Sequence, residues 1–253
     1  MLTGFNLHGK RALVTGSSRG IGKAIALGLA SAGADVAVHC AGNVRSAEAV
    51  AADIRAMGVR AMALRHNLME PGAPDALWQA VESAWGGLDI LVLNASVQIP
   101  RPWESITPEE FDEQMRVNVL CSMALMQKAA PGMRENRWGR ILTVGSVQEV
   151  KPHPDMLVYA ASKAAQTMMA RSLAMQLAPY GVTVNNLAPG VIMTDRNIDA
   201  YADEAYRARV TAAIPAGYWG EPEDCVGPAL LLCSDAGRYI TGQSLLADGG
   251  KSL

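Results

Sequence analysis

A chain of 253 residues, half of them hydrophobic, holds enough apolar material for one large α/β domain or two small ones. Its net charge of −2, with acids and bases interspersed, gives no electrostatic case for binding nucleic acid or an anionic membrane. No apolar run approaches a membrane span, the N-terminal segment has no long apolar stretch of the secretory kind, and the four cysteines form no CxxC pair and lack metal-ligand spacing with the four histidines. The cysteines read as reduced thiols of a cytoplasmic protein with no metal site.

The first strand, 11–15, runs into Gly16-Ser-Ser-Arg-Gly20-Ile-Gly22 and then into an alanine- and leucine-rich helix to about 32. Strand, glycine turn and helix open a dinucleotide-binding unit. Gly16 permits the tight turn, Gly20 lets the backbone approach a pyrophosphate, and Gly22 lets helix and strand pack closely. Free N–H groups at the helix start hold phosphates, so Ser18 and Ile21 belong to the same cradle. A second strand, 35–39, ends in His39-Cys40-Ala41-Gly42-Asn43, without the acid that holds the ribose hydroxyls of NAD. Arg19 is placed to meet a 2′-phosphate. NADP(H) is therefore the preferred cofactor, with NAD(H) as the secondary one.

The alternation continues with a helix over about 45–57, a strand over 60–65, a helix over about 73–85 and a strand over 89–93 that leads into Asn94-Ala95-Ser96. One long helix is expected over about 108–135, containing Asn118, followed by a strand over 140–144 and a helix to about 178. A strand over 182–187 leads to Pro189-Gly190, strand character is lost over 191–219, and a helix over about 221–233 and a strand over 244–247 close the chain. Continuous apolar strands separated by helices predict a doubly wound, Rossmann-type parallel sheet with helices on both faces, in a single domain spanning 1–253. The 191–219 insertion is expected to act as a substrate lid.

Chemistry concentrates between Ser146 and Lys163. Tyr159 and Lys163 stand four apart in an alanine-rich run and so share a helix face, while Ser146 follows the end of a strand. A phenol titrates near pH ~10 in water, and a fixed ammonium beside it favours the phenolate. The trio suits proton transfer at an alcohol oxygen. Because Tyr-x-x-x-Lys alone recurs by chance in helices, the rest of the chain has to support it.

The full set resembles the short-chain dehydrogenase/reductase family over essentially the whole chain: Thr15 to Gly22, Asn94-Ala-Ser96, Asn118, Ser146, Tyr159-Ala-Ala-Ser-Lys163, Pro189-Gly190 with Thr194, and Ala247-Asp-Gly-Gly250. Within it, the branch of 3-oxoacyl carrier-protein reductases and sugar and polyol dehydrogenases is the most similar. The resemblance implies that Tyr159 is the general acid/base, that Lys163 lowers its pKa and holds the nicotinamide ribose, and that Ser146 orients the substrate oxygen. It implies that Asn118 kinks its helix and holds a water in a relay through Lys163. Nicotinamide is expected near Pro189, Gly190, Ile192 and Thr194, and adenine near Asn67 and Leu68. Asn94, Ala95 and Ser96 complete the cofactor contacts.

Two departures stand out: Ser96 puts a side chain where the family commonly has glycine, and Asn67 replaces an acid. The pocket residues Val97, Gln98, Gln148, Met156 and Leu157 suggest mixed polarity and no charge. A lid with few large apolar anchors over 194–218 should be mobile. Family members commonly pair their two long helices between subunits, which implies a homotetramer. The expected function is hydride transfer between NADP(H) and a small carbonyl or secondary alcohol substrate. A non-catalytic NADP(H) sensor is the alternative, which the complete Asn118–Ser146–Tyr159–Lys163 set argues against.

Overall fold

The computed structural model describes residues 3–253, so the first two residues of the expected domain, and the side chains of Asp199 and Ala200, lie outside the description. The short apolar runs of the sequence form strands β1 (Arg11–Val14), β2 (Asp35–Cys40), β3 (Ala61–Arg65), β4 (Ile90–Leu93), β5 (Gly139–Val144), β6 (Val182–Pro189) and β7 (Ser244–Ala247). They make one seven-stranded sheet in the order β3-β2-β1-β4-β5-β6-β7, with every pairing parallel. The expected α/β class and doubly wound architecture are therefore observed.

The helices are α1 (Gly20–Ser31), α2 (Val44–Ala56), α3 (Ala73–Trp85), α4 (Pro108–Met115), α5 (Cys121–Glu135), α6 (Leu157–Leu177), α7 (Ile198–Ala202), α8 (Glu204–Ala212) and α9 (Val226–Cys233). Side chains alternate across the sheet. Val14, Ile90 and Val92 face a layer with Leu29 of α1, Ile54 of α2 and Leu232 of α9. Leu13, Leu91 and Leu93 face the opposite layer with Leu77 of α3, Leu125 of α5 and Leu177 of α6. Burial on both faces is why these strands read as unbroken apolar runs.

The helix expected over 108–135 is interrupted. Thr107 and Glu110 form a capping box that starts α4, but residues Arg116–Leu120 take a π-helical turn before α5 begins. Such a turn carries one extra residue and is frequent at functional sites; here it holds Asn118. The expected 221–233 helix begins as a 3-10 turn at Pro222–Cys225. β6 extends to Pro189 because β7 pairs Ala188 with Leu246 and Pro189 with Ala247.

The 191–219 segment leaves the sheet and returns at an isolated parallel bridge between Ile192 and Gly220. The expectation that few large side chains anchor it is corrected. Trp219 is buried, with its ring 5.1 Å from Tyr201 and 6.5 Å from Tyr206, both edge to face. Ile214 is buried as well. Charge spacing gave no sign of this cluster, which forms only when the segment folds back on itself.

Candidate active site

Because the strands are parallel, the turns after β1, β4, β5 and β6 meet at one edge of the sheet. They line a cleft of about 830 Å³ that holds Gly16, Asn94, Ser146 and Gly190 together. The Oγ1 of Thr15 accepts the backbone N–H groups of Asn94 and Ala95, both at 3.0 Å. The Asn94 amide donates back to the carbonyls of Thr15 at 2.9 Å and Gly16 at 3.0 Å. These bonds fix the glycine turn against the end of β4. Gly16 has φ +64°, and a Cβ there would lie 2.9 Å from Cα of Ala95. A Cβ on Gly22 would lie 2.5 Å from the Gly16 carbonyl oxygen and 2.4 Å from the Asn94 amide. Gly22 thus makes room for the turn itself, where the sequence suggested helix–strand packing.

His39 serves this turn unexpectedly. Its Nδ1 accepts from Gly16 N–H at 3.0 Å, which requires that Nε2 carry the proton; Nε2 donates to the His66 carbonyl at 2.8 Å. Burial holds its pKa down to about 4, so the ring stays neutral. Nothing in the local sequence signals that pairing.

Every expected cofactor residue lines the cleft: Gly16, Ser18, Arg19, Gly20, Ile21, Gly22, Asn67, Leu68, Asn94, Ala95, Ser96, Pro189, Gly190, Ile192 and Thr194, together with Tyr159 and Lys163. The end of β2 contributes His39, Cys40 and Ala41 and no carboxylate. The Arg19 side chain is 74% exposed and only loosely paired with Asp195 at 3.7 Å.

Ser146 follows β5, and its Oγ accepts from Gln148 N–H at 3.2 Å. Tyr159 and Lys163 lie on the first turns of α6, both buried. Ser146, Ser96 and Arg196 stand beside the phenol. Burial raises its pKa above the ordinary tyrosine value, while the Arg196 charge and these polar neighbours pull it down. The Lys163 ammonium donates to the Val144 carbonyl at 2.8 Å and to Gln166 Oε1 at 3.0 Å. Burial pulls its pKa down to about 7, with the Arg196 charge acting the same way and Glu149 opposing. In the protein alone Arg196 is the cation that pulls the phenol down, and burial brings Lys163 itself down to about 7.

Asn118 is fully buried and lies behind the cleft wall. Its side chain clamps the Val97 backbone, accepting from N–H at 2.8 Å and donating to C=O at 2.9 Å, and also donates to Ser162 Oγ at 2.9 Å. Its carbonyl accepts from Ser122 Oγ at 2.8 Å, Ser122 Oγ accepts from the Gln166 amide at 2.9 Å, and Gln166 accepts from Lys163. Protein groups thus join Asn118 to Lys163. Ser122 and Gln166 were legible only as helical neighbours, four residues after Asn118 and three after Lys163.

Arg196 is the other missed residue. Its guanidinium donates to the Ser96 carbonyl at 3.0 Å and to Gln98 Oε1 at 3.3 Å. The pocket read as uncharged carries a cation, and Leu157, expected to line it, is turned to solvent instead.

A family profile described as enoyl-(acyl carrier protein) reductase matches residues 16–252. The chain is 38% identical to the 3-oxoacyl-[acyl-carrier-protein] reductase of Staphylococcus aureus, over 95% of this chain and 97% of that relative. A 3-oxoacyl (acyl-carrier-protein) reductase from Agrobacterium tumefaciens, solved with NADP bound, superposes with a TM-score of 0.94 at 41% identity, covering 98% of this chain and 96% of that one. A gluconate 5-dehydrogenase from Burkholderia cenocepacia, solved with NADP and tartrate, gives 0.92 at 35% identity, covering 98% and 97%.

The depressed Lys163 pKa has a consequence for stability. Between about pH 7 and the unfolded value of 10.5, the unfolded chain holds a proton at this site that the folded protein has lost. Stability from this group therefore rises as pH rises through that window. The urea midpoint of the ligand-free protein should climb from pH 7 to pH 9 relative to Lys163→Met, by on the order of 1–3 kcal/mol. Comparison with the variant cancels the buried thiols. Parallel behaviour of the two proteins would contradict the assignment.

Proposed function

The chain belongs to the short-chain dehydrogenase/reductase family, and we propose that it is an NADP(H)-dependent oxidoreductase interconverting a carbonyl and a secondary alcohol. The observation that carries this reading is the convergence of Ser146, Tyr159 and Lys163 on one cleft with a glycine turn fitted for a dinucleotide. NADP is supported by relatives solved with it, by the carboxylate-free end of β2, and by the exposed guanidinium of Arg19, which would hold the 2′-phosphate. The glycine turn would hold the pyrophosphate, with Asn67 and Leu68 toward the adenine and Pro189, Gly190, Ile192 and Thr194 toward the nicotinamide. Bound NADPH would supply the hydride.

The protein's own groups handle the proton. Ser146 Oγ holds the carbonyl oxygen, and Tyr159 donates its phenolic proton to that oxygen as charge builds on it. A phenol kept protonated by burial is poised for this reduction step. Lys163, held by the Val144 carbonyl and Gln166 Oε1, keeps its amine beside the phenol. Alcohol oxidation runs the same steps in reverse. The relatives are a 3-oxoacyl-[acyl-carrier-protein] reductase and a gluconate 5-dehydrogenase, and a substrate of either kind presents the carbonyl or secondary alcohol this cleft needs.

Assembly as a homotetramer is supported by apolar side chains left exposed on the two long helices, with Met123 on α5 and Leu157, Met168 and Met175 on α6, and by Leu245 and Leu246 on the edge strand β7. A monomeric mass in light scattering would contradict it. A cytoplasmic site is supported by four buried cysteines, all free. No helix among the described residues is long and apolar enough to cross a membrane. Residues 191–219 would form a lid: α8 has no buried residue, and Arg196 and Asp195 reach across the cleft. Amide exchange over 194–218 should slow on adding NADPH with a substrate analogue, by more than in β4 or β5. Equal protection without ligand would make the segment a fixed insert.

Tyr159→Phe should lower kcat by about 10²–10⁴-fold while NADPH binding survives, because only the proton donor is removed. Arg19→Ala should do the opposite, keeping turnover at saturating cofactor and losing most of the NADPH-over-NADH preference, worth roughly 1.5–3 kcal/mol. Retained kcat in the first variant, or equal Kd for the two cofactors in the wild type, would refute the respective role.

A further inference from the structure

Arg196 reaches into the substrate end of the cleft, and no carboxylate among the described residues meets it. Among the described residues no Asp or Glu lies within ion-pair distance of its guanidinium, whereas the preceding Asp195 pairs with Arg19 at the cofactor end. The contacts that hold Arg196 are neutral acceptors: the Ser96 carbonyl at 3.0 Å, Gln98 Oε1 at 3.3 Å, and Ser96 Oγ at 3.4 and 3.5 Å. Several of these are long, so the five donors of the fork are underused. Ser96 and Gln98 fix the direction of the side chain without neutralising it.

We propose that Arg196 receives a carboxylate of the substrate, so that the enzyme acts on a small hydroxy or keto carboxylate whose acid group lies within a few bonds of the reacting carbon. This rests on the oxidoreductase reading and narrows its substrate class. The short reach follows from position. Arg196, bonded to Ser96, lines the same cleft as the Tyr159 phenol and is the cation that acts on it, and the phenol must itself touch the reacting oxygen. A planar guanidinium binds a carboxylate through two parallel hydrogen bonds, which fixes the orientation of the substrate as well as its charge.

Electrostatics point the same way. The Arg196 charge disfavours the ammonium of Lys163, while Glu149 favours it. Glu149 is already bonded to Thr167, Asn186 and Ser244 on the far side. Covering this cleft would strand a guanidinium away from water without a counter-ion, which is costly; a substrate carboxylate removes that cost. The buried side-chain carbonyl of Gln148, a residue lining the same cleft, has no hydrogen-bond partner. A substrate hydroxyl is the donor it lacks, which favours a hydroxylated acid. Ser96 then has a purpose that glycine could not serve, since its Oγ is one of the groups that aim Arg196.

The test uses matched pairs that differ in charge: 3-oxobutanoate against its methyl ester, 2-oxobutanoate against its methyl ester, and threonate against threitol. Each is assayed with NADPH or NADP⁺, in the wild type, Arg196→Gln, Arg196→Lys and Ser96→Gly. The expected result is an acid-over-neutral ratio of kcat/KM of about 10²-fold in the wild type, collapsing toward unity in Arg196→Gln, with part retained in Arg196→Lys. The loss should fall mainly on KM. Ratios near one in every wild-type pair, or a ratio that survives Arg196→Gln, would overturn the proposal. If no pair turns over, and a broad ketone screen is also silent, the oxidoreductase reading fails instead. Calorimetry of threonate and threitol with the NADP⁺-loaded protein then still decides this one: acid-selective binding lost in Arg196→Gln supports it, and equal binding of the two overturns it.

Discussion

Two hydrogen bonds from the Asn94 amide to the Thr15 and Gly16 carbonyls hold the molecule's working edge together. They sit where the strand order turns, with β1 beside β4, and where the connections on either side run to opposite faces of the sheet. A crevice opens at such a point whatever the residues, but its use depends on fixed turn geometry. The close approach of Ala95 to Gly16, the space left by Gly22 and the neutral His39 ring against Gly16 N–H all meet at that same turn. Substituting any of them disturbs the same few atoms.

On the other side of the crevice the controlling force is desolvation. The phenol of Tyr159 and the ammonium of Lys163 are both buried, and burial drives each toward its neutral form. Tyr159 is thereby kept as a proton donor, and Lys163 is kept close to its own titration point. Arg196 enters this balance from the 191–219 segment. It favours the phenolate and disfavours the second cation, so any closure of that segment changes the protonation of the site as well as its access.

Much of this was legible in the sequence because its signals are local. Apolar runs such as 89–93 and 140–144 place the strands, the glycine spacing of 16–22 places the turn, and Tyr159 with Lys163 shares a helix face. What was missed is long-range or sub-periodic. The π turn at Arg116–Leu120 differs from an α-helix by one residue in its bonding and leaves the apolar pattern almost unchanged. His39 meets Gly16 across 23 positions and Arg196 meets Ser96 across 100, contacts that only the parallel topology creates. Lys163 looked like a full positive charge because sequence spacing carries no information about burial.

The central claim is that this cleft passes a hydride from the nicotinamide to a substrate carbon while Tyr159 supplies the proton. It is tested most directly with NADPH carrying deuterium at either face of C4 and any ketone the protein reduces. The account predicts that label from one face alone appears on the carbinol carbon, with a primary isotope effect, and that the oxygen-bound proton comes from solvent. Cofactor oxidation without label in the product, or label from both faces, would contradict it.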